Sequence, residues 1–209
     1  MSGGSRSGRC ALWAAGAMAI GYVVLASVVS TWPRSSLDVA VATVVQRATP
    51  LDPALRAASA FGGWIWSVLA IAALFAARAR REAITLSASM LGAVAIEHAT
   101  KLVFSRPRPT APLLIIREPV TGPGFPSGHV LDYVALFGLL AVFAAVRARI
   151  RAVRVCAITA AVVLVVLVGP SRVYLGAHWP SDVLAAYLAG GAWLVLVARF
   201  YLLRRAEAA

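Results

Sequence analysis

Long apolar runs alternate with short polar segments along this 209-residue chain. A membrane-spanning helix needs about 20 mainly apolar residues to cross roughly 30 Å of hydrocarbon, and six runs approach that length. We predict an all-α, polytopic membrane protein with six transmembrane helices, forming a single membrane-embedded domain over residues 1–209. The predicted spans are residues 11–29, 61–77, 83–104, 130–146, 155–170 and 183–200.

The segment between the first two predicted spans, residues 31–60, is polar to amphipathic. Its first part has apolar residues at helical spacing, namely Leu37, Val41, Val44 and Val45. This spacing predicts a helix lying along the membrane surface. Asp52 followed by Pro53 fits an N-cap and first helical position, so a second helix is expected to begin there. The segment is interpreted as a connector, with a lip for lipid entry as the alternative.

The composition agrees with membrane insertion, since 61% of the residues are hydrophobic and only 13% are charged. This exceeds the apolar content of an ordinary soluble domain. The net charge of +12 comes from arginines clustered at predicted span ends, where anionic headgroups attract them. We therefore expect a lipid bilayer as the partner and no nucleic acid.

The basic residues also predict the orientation of the chain. Short cytoplasmic loops retain positive charge, and the loops at residues 78–82 and 147–154 are rich in arginine. Both termini are therefore expected in the cytoplasm. The run after Arg9 resembles a signal peptide but is about 19 residues long, so we interpret it as a retained span. Cys10 and Cys156 then lie at cytoplasmic span ends, where no disulfide is expected.

Three polar islands fall on the predicted outer face, at residues 101–109, 126–129 and 171–182. The first begins with Lys101, the only lysine in the sequence. Its prolines interrupt the helix and hold Arg106 and Arg108 in an extended strap. A guanidinium fork suits phosphate oxygens, but the spacing alone does not decide which of the two arginines binds phosphate.

Charged groups close to this island lie within the third predicted span, where they are costly and indicate function. Glu97 precedes Lys101 by one helical turn, which allows an ion pair. Glu97 either neutralises Lys101 or belongs to the site. His98 points to another side of the helix and is interpreted as a packing or interfacial residue.

The second island, Pro-Ser-Gly-His, leads directly into the fourth predicted span. A helix beginning near Ser127 presents free backbone N–H groups that cradle an anion. Gly128 allows close approach to the backbone, the Ser127 hydroxyl donates, and His129 either acts at the lip or caps the helix. Asp132 is interpreted as complementing the helix dipole and is left outside the site.

The third island places His178 and Asp182 four residues apart at the start of the sixth predicted span. A carboxylate at this spacing orients an imidazole and leaves its other nitrogen as a nucleophile. Arg172 lies on the same island. Tyr174 and Trp179 are predicted to be interfacial belt aromatics.

The three islands together resemble the type 2 phosphatidic acid phosphatase superfamily, which includes bacterial acid phosphatases and vanadium haloperoxidases. The first family motif, Lys, six residues, Arg-Pro, corresponds to Lys101 and Arg108 with Pro109, and the second to Pro126–His129. The third, Ser-Arg, five residues, His, three residues, Asp, corresponds to Ser171, Arg172, His178 and Asp182. Arg106 lies outside this pattern, so the resemblance favours Arg108.

This resemblance implies a reaction at the outer membrane interface. His178 is the expected nucleophile, forming a phosphohistidine, with Asp182 orienting its ring. His129 is expected to protonate the leaving oxygen and then to activate water. The implied phosphate-binding residues are Lys101, Arg108, Ser127, Gly128 and Arg172. No metal or other cofactor is implied.

A lipid phosphatase of a bacterial plasma membrane is the function expected from these features. Candidate substrates are polyprenyl phosphate or diphosphate, phosphatidic acid and phosphatidylglycerol phosphate. The alternatives are a non-catalytic phospholipid-binding or transport protein and a vanadate-dependent haloperoxidase. The sequence does not determine the oligomeric state.

Overall fold

Helices make up nearly all of this computed structural model, which describes residues 3–207, with side chains described from residue 8 onward. No strand occurs within that range. The α-helices are α1 (Gly3–Thr31), α2 (Ser36–Gln46), α3 (Asp52–Ala60), α4 (Trp64–Ala76), α5 (Arg80–Val103), α6 (Gly128–Tyr133), α7 (Leu139–Arg147), α8 (Arg151–Tyr174) and α9 (Pro180–Ala206). A π-helical segment, Val134–Gly138, joins α6 to α7.

Five of these helical runs are long and apolar enough to cross a membrane, namely α1, α5, α6 with α7, α8 and α9. A sixth crossing is possible through Thr49–Ala60 and Trp64–Ala76, which are bent by 53° relative to each other. The protein is therefore an all-α, multi-pass membrane protein, as predicted. The second span differs from residues 61–77, because α4 begins only at Trp64. Gly63 makes the bend with φ 102°, a left-handed conformation that favours glycine.

The predicted fifth span, residues 155–170, lies inside a longer helix, since α8 continues past Pro170 to Tyr174. Proline removes one helical N–H donor and disturbs the preceding turn. Tyr187 of α9 compensates: its hydroxyl accepts a bond from the Gly169 N–H (3.0 Å) and donates to the Val165 carbonyl (2.6 Å). The helix therefore carries the third island as regular structure up to Tyr174.

The core lies where α5, α6, α7, α8 and α9 pack together. Close approach of α5 to α9 depends on Gly92, since a Cβ there would collide with the Trp193 ring. The Trp193 indole N–H in turn donates to the Ser89 carbonyl (2.9 Å). Helix α1 packs along α9 and leaves most of its apolar side chains exposed, as expected for a surface that faces lipid.

Helix α2 confirms the helix predicted from the apolar spacing in residues 37–45. The Ser35 hydroxyl caps it by accepting the Leu37 N–H (3.2 Å). Asp38, Ala42 and Gln46, spaced four residues apart, are its buried residues. Helix α2 therefore turns the face that carries Asp38 and Gln46 toward the end of the bundle where the polar islands lie.

The irregular segment 104–127 covers the same end of the bundle. Gln46 holds it with two bonds to Ile115, since its amide donates to the Ile115 carbonyl (2.7 Å) and accepts the Ile115 N–H (3.0 Å). Asp52 does not act as the predicted N-cap, because α3 begins at Asp52 itself and Leu51 precedes it. The Asp52 carboxylate instead accepts bonds from Arg56 and Tyr174.

Candidate active site

The three polar islands meet at one end of the bundle. The first begins at the last turn of α5 and continues into segment 104–127, the second leads into α6, and the third joins α8 to α9. Side-chain and backbone bonds connect them: Arg108 contacts His178, and the Ser127 N–H donates to the Asp182 carbonyl (3.2 Å). Residues far apart in the sequence therefore form a single site.

His178 is almost completely buried, with 2% of its surface exposed. Its Nε2 lies 3.0 Å from Arg108 Nη1, and its Nδ1 lies 2.8 Å from the Gly124 carbonyl oxygen. A guanidinium can only donate and a carbonyl can only accept. Nδ1 therefore carries the proton, and the Nε2 lone pair points toward the cationic side of the site.

The same surroundings keep the imidazole neutral. Burial lowers the pKa of His178, and the charges of Arg108 and Arg172 lower it further, although Asp182 acts in the opposite direction. A neutral imidazole with an unprotonated Nε2 is the form that a nucleophile requires. The geometry is thus consistent with the predicted role of His178.

Asp182 does not orient His178 by the direct hydrogen bond that the sequence suggested. Its Oδ2 lies 3.6 Å from His178 Nδ1, which is too long for a hydrogen bond, and accepts the Trp179 N–H instead (2.9 Å). The Gly124 carbonyl instead accepts the hydrogen bond from His178 Nδ1. Asp182 contributes through its charge and by fixing the start of α9.

Arg108 is held by neutral groups only. Its guanidinium donates to the carbonyls of Gly122 (3.0 Å), Ala177 (2.8 Å) and Pro123 (3.2 Å), besides His178. Burial lowers the pKa of Arg108, yet a guanidinium stays protonated in proteins. Its positive charge therefore has no carboxylate bonded to it among the described residues.

Arg172 is 1% exposed and binds a carboxylate that the sequence analysis did not consider. Glu118 accepts from Arg172 Nη2 (2.9 Å) and Nη1 (3.1 Å), and Ser59 Oγ accepts from Nη1 (2.7 Å). Within residues 3–207 no partner is found for the buried Arg172 Nε. A phosphate could therefore reach Nε, but both Nη groups are engaged.

The second island has the predicted conformation. Ser127 is the N-cap of α6 without capping through its side chain, and its buried Oγ has no hydrogen-bond partner in the part of the chain that the structure describes. A Cβ on Gly128 would collide with the Glu97 carboxylate. Glu97 forms the predicted ion pair with Lys101.

His129 packs against Gly62 at the bend between α3 and α4, since a Cβ on Gly62 would collide with its ring.

Arg106 is the residue that the sequence analysis placed least well. The family pattern leaves it outside the site, but it is buried. Its guanidinium donates to Asp182, to Asp38 Oδ2 (2.7 Å), to Ser181 Oγ (2.7 Å) and to the Pro33 carbonyl (3.0 Å). We call Asp38, Arg106, Ser181 and Asp182 the Arg106 cluster.

The Arg106 cluster ties three parts of the molecule together. Asp38 of α2 also accepts the Ser181 N–H (2.9 Å) and hydroxyl (2.7 Å) at the start of α9. The Arg106 carbonyl accepts the Gly124 N–H (2.8 Å), and the Gly124 carbonyl binds His178. Acidic residues are rare in this sequence, with only eight in the chain. This rarity is the signal that could have pointed to Asp38 and Glu118, neither of which lies in a polar island.

Tyr174 and Trp179 are not interfacial belt residues. Both are buried, at 1% and 0% exposure. The Trp179 indole donates to the Pro107 carbonyl (3.0 Å), and the Tyr174 hydroxyl donates to Asp52 (2.9 Å). Both aromatic side chains therefore pack in the interior next to the site and do not contact lipid.

Two further polar residues, His98 and Asp132, lie outside the three family motifs. His98 is exposed, and its Nδ1 lies 2.9 Å from the Val94 carbonyl of its own helix. Asp132 is half-buried one turn into α6, and its Oδ1 has no partner within the described residues. Among residues 3–207, no group of three or more His, Cys, Asp or Glu side chains is arranged to hold a metal ion.

Comparison with known proteins gives matches in sequence. A family model described as the PAP2 superfamily matches residues 82–206. An undecaprenyl-diphosphatase from Sulfolobus acidocaldarius is 30% identical over 134 residues, covering 63% of this chain and 60% of that protein. Glucose-6-phosphatase 3 from Homo sapiens is 40% identical over 81 residues, covering 36% of this chain and 23% of that protein. The chain thus spans less than two thirds of the length of these relatives.

Two solved structures share the fold. A transmembrane PAP2-type phosphatidylglycerolphosphate phosphatase from Bacillus subtilis has a TM-score of 0.70 at 22% identity, covering 90% of this chain and 96% of that chain. LpxE from Aquifex aeolicus has a TM-score of 0.64 at 19% identity, covering 81% of this chain and 96% of that chain. The helical arrangement is therefore that of known transmembrane proteins.

Proposed function

Because this chain belongs to the PAP2 superfamily, we propose that it is a metal-independent lipid phosphatase that forms a phosphohistidine on His178. One observation carries the proposal. The neutral, buried imidazole of His178 accepts a hydrogen bond at Nε2 from Arg108, a guanidinium with no bonded carboxylate among residues 3–207. Ser127, whose buried Oγ has no partner within the same residues, is tied to this island through its N–H, which donates to the Asp182 carbonyl. These are a nucleophile and the donors that a phosphoryl group needs.

In the proposed first step, His178 Nε2 attacks phosphorus in line and the bond to the leaving oxygen breaks. The leaving oxygen takes a proton from His129. Charge on the equatorial oxygens is stabilised by Arg108, Arg172 Nε and the Ser127 hydroxyl, with the backbone at Gly128 and the Lys101 ammonium as further donors. Donors placed at developing charge supply much of the rate enhancement of such reactions.

In the proposed second step, water attacks the phosphohistidine and the nitrogen–phosphorus bond breaks. His129, which gave up its proton in the first step, now accepts one from the water. His178 Nδ1 stays protonated throughout and donates its hydrogen bond to the Gly124 carbonyl. Asp182 stabilises the positively charged imidazole ring of the intermediate without itself accepting the proton.

The proposed substrate is a phosphate or diphosphate monoester on a membrane lipid. Two of the likenesses are to proteins named for such compounds, an undecaprenyl-diphosphatase and a phosphatidylglycerolphosphate phosphatase. The site lies at the ends of membrane-spanning helices, where a headgroup can reach it while the chains stay in the bilayer. Polyprenyl phosphate or diphosphate, phosphatidic acid and phosphatidylglycerol phosphate all fit this description.

The proposed location is a bacterial plasma membrane, with the site on the outer side and both termini in the cytoplasm. Support comes from the arginines of the short loops on the opposite end of the bundle, at residues 78–81 and 147–154. A headgroup in the outer leaflet would then meet segment 104–127.

The test is phosphate release from a panel of these lipids by purified protein in excess EDTA. His178→Ala is the matched variant, and His98→Ala, which alters the exposed histidine, is the control. We expect release from at least one lipid, loss of at least about 10⁴-fold in His178→Ala, and no change in His98→Ala. Dependence on an added divalent ion, or activity retained in His178→Ala, would contradict the proposal.

A further inference from the structure

Glu118 binds Arg172 in the way that a phosphate would. Its two carboxylate oxygens lie 2.9 Å and 3.1 Å from the two Nη atoms. Carboxylate and phosphate both present two oxygens to a guanidinium fork. A ligand that needs this fork must therefore displace Glu118.

The backbone of Glu118 is fixed while its side chain can leave. The N–H groups of Arg117 and Glu118 both donate to the Leu175 carbonyl (2.9 Å and 3.1 Å). The Arg117 guanidinium lies over the Tyr174 ring, 4.2 Å from its centroid, and donates to the Tyr174 carbonyl (2.9 Å). The Glu118 side chain is nevertheless 40% exposed, so rotation about its own bonds moves the carboxylate into solvent.

The carboxylate is charged when it holds Arg172. Burial acts to raise the pKa of Glu118, but the hydrogen bonds and charge of Arg172 outweigh it, and the pKa lies below its ordinary value. An incoming anion therefore competes with a full negative charge. Whether an anion displaces Glu118 from Arg172 therefore depends on whether the anion carries more negative charge than the single charge of the carboxylate.

We propose that Glu118 is a specificity-determining residue that excludes phosphodiester lipids and admits terminal phosphates and diphosphates. This inference rests on the proposed phosphatase activity. A phosphodiester headgroup carries one negative charge, the same as the carboxylate, and gains nothing by displacing it. A terminal phosphate carries close to two charges near neutral pH, and a diphosphate carries more, so each binds Arg172 in preference to Glu118.

Such a filter matters because the site faces a membrane rich in phosphodiester lipids, many of them anionic. The cations of the site are Lys101, Arg108 and Arg172, and the carboxylates near them are Glu97, Glu118 and Asp182, of which Asp182 is also paired with Arg106. Removal of Glu118 therefore leaves a more positive site with a free guanidinium fork. Any phosphate group then binds more tightly, including those of lipids that are not substrates.

The test compares the wild-type protein with Glu118→Gln. Inhibition constants are measured for inorganic orthophosphate, orthovanadate and phosphatidylglycerol in mixed micelles. We expect all three to fall in the variant, by about tenfold for orthophosphate and by more for phosphatidylglycerol, since an opposed charge is removed. Glu207→Gln, which removes an exposed carboxylate paired with Arg204 at the other end of the bundle, is the matched control and should change nothing.

Equilibrium binding separates failure of this inference from failure of the proposed activity. Binding of orthophosphate, followed by calorimetry, needs no turnover. If no lipid releases phosphate, the phosphatase proposal is wrong, and the binding comparison still decides the role of Glu118. Equal orthophosphate affinity in wild type and Glu118→Gln, or unchanged inhibition by phosphatidylglycerol, would overturn the role proposed for Glu118.

If Glu118→Gln does not fold, Glu118→Asp takes its place in the test. Its shorter side chain keeps the charge but loses the paired contact with Arg172, so about threefold tighter orthophosphate binding is expected.

Discussion

Arg106 and Arg108 lie two residues apart on one extended segment, and their surroundings are opposite. Arg106 is buried against two carboxylates, those of Asp38 and Asp182. Arg108 is bonded to three carbonyl oxygens and to the His178 imidazole, all of them neutral. We call Arg108 with Ser127, His129, Arg172 and His178 the Arg108 pocket, in contrast to the Arg106 cluster.

For these two arginines the charge of the partners differs while the charge of the residue does not, so the partners distinguish the structural cation from the one available to a substrate. Arg172 and Lys101 are paired with Glu118 and Glu97, so an anion must compete with a carboxylate for them. Paired buried charges are costly to break, since removal of one leaves the other uncompensated. A guanidinium held by carbonyls is positioned while its charge remains available to an anion. Each prediction below changes one side of this comparison.

Arg106→Gln should have the largest effect and should act on stability. It leaves two buried carboxylates facing each other without a cation, which typically costs about 3–5 kcal/mol. Thermal unfolding in detergent measures it, with Arg56→Gln as the matched control, because Arg56 pairs with Asp52 at half-exposed positions. A midpoint equal to that of the control would mean that the Arg106 cluster does not hold α2, segment 104–127 and α9 together.

Arg108→Gln should act on turnover and leave the unfolding midpoint nearly unchanged. Loss of one positioned donor to developing charge costs about 10²–10³-fold in kcat, or about 2.7–4 kcal/mol. Phosphate release under saturating lipid measures the loss. A large drop in the midpoint together with unchanged kcat would reverse the assignment of the two arginines.

Ser127→Ala and Ser181→Ala repeat the comparison with hydroxyl groups. Ser127 Oγ has no partner within the described residues, so its removal should leave stability unchanged and lower kcat/KM by about 10–100-fold. Ser181 Oγ accepts from Arg106 and donates to Asp38, so its removal should cost about 1–3 kcal/mol of stability. Equal effects of the two substitutions on the unfolding midpoint would contradict this division.

The pH dependence should show the smallest effect. Burial together with Arg108 and Arg172 lowers the pKa of His178, and the nucleophile must be unprotonated. The rate of phosphoenzyme formation should therefore persist below the ordinary imidazole pKa of about 6.5 and fall only at lower pH. In Arg108→Gln one of the lowering charges is lost, so the midpoint of the acid limb should rise. A wild-type midpoint at or above about 6.5 would contradict a neutral, buried His178.

Much of this architecture could be predicted from the sequence, because charge and proline are conspicuous in an apolar chain. The spans and the convergence of the three islands follow from where apolar runs stop. The pairing Glu97 with Lys101 follows from helical spacing, since both residues lie on one helix. Such features depend only on local periodicity.

Features that depend on distant partners could not be predicted. Asp38, the partner that distinguishes Arg106 from Arg108, lies 68 residues away in the sequence. The hydroxyl that lets α8 continue through Pro170 belongs to Tyr187 on another helix. Whether Trp179 faces lipid or the interior depends on the packing of segment 104–127 above it. Each of these outcomes is decided by a tertiary contact.

The central claim is that the lone pair of His178 Nε2 attacks phosphorus. The most direct measurement is rapid quenching of the protein with ³²P-labelled lipid phosphate, followed by peptide mapping under alkaline conditions that preserve phosphohistidine. We predict label on the peptide that contains His178, formed at least as fast as turnover, and none in His178→Ala. Turnover without label on His178, or label on another residue, would contradict the account.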